Sequence, residues 1–189
     1  TDIVRRCLYL FAAADCNDTG FLPGYIYENP KFVSGYWFLY DYALLFVTTL
    51  CDYYQHTGDA ETFLDIYPVV QKQMDAAKKI TDENGILSLF NKRDVFIDWN
   101  DALEKTVSLN GVYLYTLDRL SQALSKLNHK DAPIYQSRYQ DTKHAAYRHL
   151  YNAKDHNFAV GYDKEQISVH SVVWMILGGV IDGEIAWEA

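Results

Sequence analysis

Two kinds of helical pattern alternate along this chain, and the alternation restricts what it can fold into. Residues roughly 35–57 place apolar or aromatic side chains at Trp37, Tyr40, Leu44, Val47, Cys51 and Tyr54, with a second row at Leu39, Ala43, Phe46 and Leu50. A helix that is apolar on more than one face is buried on more than one face. Residues roughly 61–80 carry a single stripe instead (Leu64, Tyr67, Val70, Met74, Ala77), and lysines and acids fill the rest. The contrast repeats. Residues 103–127 are apolar nearly all round, 132–151 are amphipathic and 166–178 are apolar all round again. A first helix over 3–14 and a last one beginning near Gly183 complete the series. The pattern predicts an all-α fold of inner and outer helices joined as hairpins. Pro68 is expected to break the third helix near its start or to open a second helical piece.

The connections carry a repeat of their own. "CNDTGFLPGY" (16–25), "TDENGILSLF" (81–90) and "AKDHNFAVGY" (153–162) each follow an outer helix, and each is a polar turn leading into a short apolar run. Their centres, Gly20, Gly85 and Asn157, recur every 65 to 72 residues. A period of that length with two helices per unit indicates a helical-hairpin array. Short links lead to outer helices. Long, dissimilar links (20–35, 85–104, 157–166) lead to inner ones. Long variable loops on a rigid scaffold are where function concentrates. A hairpin array gathers them at one end, where the amides and dipoles of the inner helices also point.

With 189 residues and 15% aromatics, including 16 tyrosines, the chain can build one domain, 1–189, with a substantial core. A net charge of −8 argues against nucleic acid as a partner, which calls for a basic stripe. Apolar runs such as "YALLFVTTLC" are about half the roughly 20 residues of a membrane span. Cys7, Cys16 and Cys51 are odd in number and lack a CxxC, so they read as buried or half-buried thiols. "DCNDTG" begins like a calcium loop, but Thr19 and Ile26 stand where ligands belong. No HExxH, P-loop, GxSxG or dinucleotide glycine pattern is present, and no metal or cofactor is implied.

The long loops are rich in aromatics and acids. The first holds Phe21, Tyr25, Tyr27, Glu28 and Phe32 and leads to Tyr36 and Trp37. The second contains "RDVFIDWND" (93–101), and the third holds Phe158, Tyr162, Asp163 and Glu165. Aromatic faces stack on sugar rings, carboxylates accept bonds from sugar hydroxyls, and paired carboxylates perform glycoside hydrolysis. The structural alternative is equally concrete: loop aromatics cap a core, and Asn100 or Asp101 with Glu104 fits a capping box at the start of the fourth helix. His170 is expected in the core, near the loop end.

"FIDWND", followed by "EKTVSLNGVYLYTLDRLSQAL", resembles the bacterial α-L-rhamnosidases, which carry a "GDW" motif at this place. Ile97 stands here where glycine is usual. "DYALLFVTTLCDYYQHTGDAETFLDIYPVV" and "ISVHSVVWMILGGVIDGE" resemble two inner helices of that family, so the likeness covers most of the chain. It implies helical hairpins forming part, about half, of an (α/α)6 toroid. It also implies an inverting glycosidase acting on terminal rhamnose or a related sugar, with Asp98 and Trp99 lining the sugar pocket. Trp37 and Tyr36 are added as substrate-binding candidates from their position alone. The family's general acid, in an Arg-Asp-Glu segment, precedes the first helix seen here, and its general base follows "GEIAWEA". No catalytic residue is therefore expected within these residues, and the remainder of the enzyme is an expected partner. Another six-hairpin glycosidase (for a glucoside, fucoside or uronide) and a non-catalytic helical scaffold are the alternatives. Periplasmic, extracellular and cytoplasmic locations all stay open.

Overall fold

The computed structural model describes residues 2–27, 33–35, 37–97, 100, 102–163 and 166–181. Among them are six α-helices: α1 Asp2–Ala12, α2 Tyr40–Thr57, α3 Ala60–Lys79, α4 Thr106–Lys126, α5 Ala132–Leu150 and α6 Val169–Leu177. Two short antiparallel hairpins accompany them, β1 (Ile26–Tyr27) with β2 (Val33–Ser34) and β3 (Tyr151–Asn152) with β4 (Asn157–Phe158). The fold is all-α, as expected. α4 packs between α2 and α6 and carries α5 on its outer side; α3 lies on α2, and α1 lies on both. The inner row is α2–α4–α6, and α1, α3 and α5 form the outer layer of an arc of hairpins.

The apolar patterns explain this layering. Leu109, Val112, Leu117, Leu120 and Leu124 of α4 are fully buried, each contributing roughly 1.5–3 kcal/mol relative to exposure. Small side chains let the inner helices approach. A Cβ at Gly111 would strike the backbone and Cβ of Trp174 in α6. Polar contacts show that the inner helices run parallel. The hydroxyls of Ser108 and Ser171, each third in its helix, lie 3.3 Å apart. Thr48 of α2 sits 3.2 Å from Thr116 of α4. Asp41 in the first turn of α2 and Lys105 just before α4 both bond Phe96.

The repeated turns are clasped from within. Asn17 Oδ1 accepts the Phe21 N–H at 2.9 Å, and Asp82 Oδ1 accepts the Ile86 N–H at 3.0 Å, one repeat later. Gly20 and Gly85 take the left-handed conformation (φ +97° and +82°) that closes each turn and that glycine adopts without strain. The backbone after each turn is held by a fully buried amide. Gln73 accepts the Leu22 N–H at 2.9 Å and donates to Gly20 O at 3.2 Å. Asn110 accepts the Leu87 N–H at 2.9 Å and donates to Leu87 O at 3.0 Å. The third turn departs from expectation. His156 is its left-handed residue (φ +52°), and Asn157 already belongs to β4.

Other details also differ from the sequence reading. α3 continues through Pro68, which is exposed; the carbonyl it leaves without a partner belongs to exposed Leu64, where water can serve it. α2 begins at Tyr40, so Trp37 precedes the helix. Cys7 and Cys16 are exposed; Cys51 is buried, and that burial pushes its thiol pKa up. The helix expected near Gly183 lies outside the described residues. No described helix is long and apolar enough to cross a membrane. Both edges of the arc are apolar. One is a groove of about 450 Å³ lined by Ile3, Val4, Cys7, Leu8, Phe11 and Tyr42, and the other presents Val169, Val173 and Leu177.

Two predictions follow from the clasps and caps. Asn110→Ala leaves a buried N–H and carbonyl of Leu87 without partners, and should destabilise the protein by about 1–3 kcal/mol in urea unfolding. Asp59 caps α3 by accepting from the Thr62 hydroxyl (2.6 Å), the Thr62 amide (3.0 Å) and the Tyr53 hydroxyl (2.8 Å), which together hold its pKa down to about 2 from 3.8. A folded-state pKa below the unfolded one gives stability that is present above about pH 4 and is lost as pH falls through about 2. Asp59→Ala should therefore lower Tm at pH 7, with a gap to wild type that narrows between pH 4 and pH 2.

Candidate functional site

The loops entering α2, α4 and α6 meet at the N-terminal end of the inner row. The Val107 N–H donates to Val160 O at 3.2 Å, joining the start of α4 to the third loop. The Tyr162 hydroxyl donates to Asp82 at 2.5 Å, tying that loop to the second turn. Burial, reinforced by this bond, pushes the Tyr162 pKa up to about 12. The second loop reaches α2 through Asp41, whose oxygens accept the Phe96 N–H (3.2 Å to each) and the Ile97 N–H (3.1 Å). Long loops do share one end, as their spacing predicted.

The aromatics divide by role. Phe21 and Phe158 are fully buried, and Phe21 stacks on Tyr40 with ring centroids 4.4 Å apart; these two serve the core. Trp37 is 62% exposed and meets Tyr25 edge to face at 6.4 Å, and Tyr25 meets Tyr27 the same way at 5.1 Å. The Gly24 N–H donates to Trp37 O at 2.8 Å, so Trp37 is fixed to the hairpin loop rather than to α2. These three rings form an accessible aromatic patch suited to the apolar face of a sugar ring.

Burial raises the Asp94 pKa, with the nearby Tyr40 hydroxyl opposing, and burial together with the Asp94 charge pushes Tyr40 up to about 12. Burial also raises the Asp41 carboxyl pKa, while the amides of Ile97 and Phe96 pull it back. The expected capping box does not form. α4 begins at Thr106, and Glu104 caps it by accepting from the Thr106 N–H (2.9 Å) and the Thr106 hydroxyl. Asn100 instead closes a local turn, accepting the Ala102 N–H at 3.0 Å. His170 is exposed rather than in the core, because α6 stands at an open edge of the arc.

Of the four candidate sugar-binding residues, Trp37 is placed at the loop end beside Tyr25 and Tyr27. Asp98, Trp99 and Tyr36 lie outside the described residues, as does Asp101. Ile97, immediately before Asp98, has φ +21°, at the margin of the region where glycine is at ease and a β-branched residue is not. Sequence reasoning missed Asp41 and Lys105. The available signal was an acid in the first turn of a helix otherwise apolar on two faces.

A helical-hairpin arc with aromatic and acidic loops collected at one end is the class of protein that fold and site define. The chain matches no family model and no curated protein. Among solved structures it matches a rhamnosidase from Klebsiella oxytoca with rhamnose bound, at TM-score 0.90 and 30% identity over 99% of this chain. It also matches a GH78 family rhamnosidase of Bacillus sp. GL1, at TM-score 0.74 and 18% identity over 99% of this chain. The chain spans 36% of the first of those chains and 20% of the second. The resemblance to the rhamnosidases is thereby shown, over a segment of their length.

Proposed function

We propose that this chain is part of the catalytic toroid of a rhamnosidase-like inverting glycoside hydrolase that removes terminal rhamnose or a related sugar. The observation that carries the reading is the near-complete superposition on a rhamnosidase with rhamnose bound, at 30% identity. The accessible patch of Tyr25, Tyr27 and Trp37 supports it, since exposed rings at a loop end suit a carbohydrate. In this reading Asp98 accepts bonds from sugar hydroxyls, Trp99 and Trp37 supply stacking faces, and Tyr36 is a further sugar-binding residue. The leaving-group acid and the water-activating base come from the remainder of the enzyme. Those two carboxyl groups stand roughly 6.5–9.5 Å apart, the spacing that leaves room for water. The same remainder covers the apolar edges of the arc.

The full-length parent protein, assayed on a panel of aryl glycosides, should release aglycone from the α-L-rhamnoside at least tenfold faster than from glucoside, fucoside or uronide. Release from one of those instead replaces rhamnose with that sugar, and release from none returns the chain to a binding scaffold. Asp98→Ala in the same protein should lower kcat/KM at least tenfold with little change in Tm. Unchanged kinetics would remove Asp98 from the sugar pocket.

A further inference from the structure

The segment Val95–Ile97 is gripped by two buried charges from different inner helices. Asp41, in the first turn of α2, is 2% exposed and takes the N–H groups of Phe96 and Ile97. Lys105, at the N-cap of α4, is 4% exposed, and its ammonium donates to the carbonyls of Val95 and Phe96, each at 3.2 Å. Four consecutive backbone polar groups are thus held by charged side chains rather than by water. Side-chain packing assists, with Val95 buried and the Phe96 ring edge to face with Tyr42 of α2 at 6.0 Å.

Such a grip is an unusual way to hold a loop. Taking a carboxylate and an ammonium out of water costs several kcal/mol per ion, so a buried ionic arrangement is weak evidence for stability. What it does supply is geometry. The bonds, at 3.1–3.2 Å, are of ordinary length, but they come from two helices packed side by side and so fix the segment from two directions. The segment cannot slide along α2 without breaking its bonds to Lys105, or along α4 without breaking its bonds to Asp41. The chain leaves this grip at Ile97, and the next residues in sequence are Asp98 and Trp99.

We infer that Asp41 and Lys105 are positioning residues of the sugar site, fixing Val95–Ile97, the backbone that leads in sequence to Asp98 and Trp99; this rests on the proposed glycosidase reading. The experiment uses the full-length protein and the isosteric variants Asp41→Asn and Lys105→Met. Two readouts are needed: amide hydrogen exchange of the peptide covering residues 93–103, and steady-state kinetics on the aryl α-L-rhamnoside. Expected are exchange at least tenfold faster in that peptide, with peptides from α3 and α5 unchanged, and a KM raised at least fivefold with kcat within about threefold. A merely structural role lowers the active fraction, which reduces kcat and leaves KM alone.

Unchanged exchange in both variants would overturn the grip itself. Faster exchange with unchanged KM would leave the grip as scaffolding and overturn its role in the site. If one variant fails to fold, the other decides, because each weakens a different half of the bonds: Asp41→Asn loses the charge and one acceptor oxygen, and Lys105→Met loses the donor altogether. Wild-type protein inactive on every glycoside would count against the glycosidase reading and with it the positioning role, while the exchange arm still reports whether the two charges hold the segment.

Discussion

The structure turns on α4, a helix with almost no face left for water. It is covered by α2, α5 and α6, and even its polar residues Ser108, Asn110, Thr116 and Ser121 are buried. A helix in that position must satisfy every side-chain polar group within the protein, since an unpaired one costs about 1–3 kcal/mol. It does so by bonding to its neighbours and to the loops. Asn110 holds Leu87, Thr116 reaches Leu44 O and Thr48, and Ser108 reaches Ser171. The central helix therefore positions the turns and the other inner helices through polar contacts, and the apolar contacts supply most of the cohesion.

The same logic appears one hairpin earlier in the outer layer, where Gln73 holds Gly20 and Leu22 as Asn110 holds Leu87. Amides from different layers have taken the same task at successive turns. The turns they hold are close copies, an Asn or Asp followed by a left-handed glycine and then a buried apolar residue. The third turn is longer by one residue and uses His156, so the repeat is structural rather than strict in sequence.

Much of this was legible because burial leaves a periodic trace. Apolar rows on two faces separated α2, α4 and α6 from their single-striped partners, and the glycines at 20 and 85 marked the turns. What could not be read depended on partners distant in sequence. Asp41 looks like an ordinary acid at a helix start; that its carboxylate serves amides 55 and 56 residues away is a tertiary fact. Glu104 was legible as a capping residue, but the start of α4 was not, because Val107 donates to a third-loop carbonyl and the local pattern does not show it. Pro68 misled because its effect depends on which way the freed carbonyl faces. Of the candidate sugar contacts, Trp37 came from position along the chain and proves to be exposed beside two tyrosines, while Asp98 and Trp99 came from the family likeness.

The parallel alignment of the inner helices has an electrostatic consequence for what the loop end can hold. Each helix start carries roughly half a positive charge, and like ends set side by side repel one another. The protein answers with its own acids: Asp41 lies in the first turn of α2, and Glu104 sits over the first amide of α4. Those carboxylates already occupy the positions an anionic ligand would seek. An anionic group arriving at the starts of α2 and α4 would therefore meet carboxylates in place of free amides and a bare helix dipole.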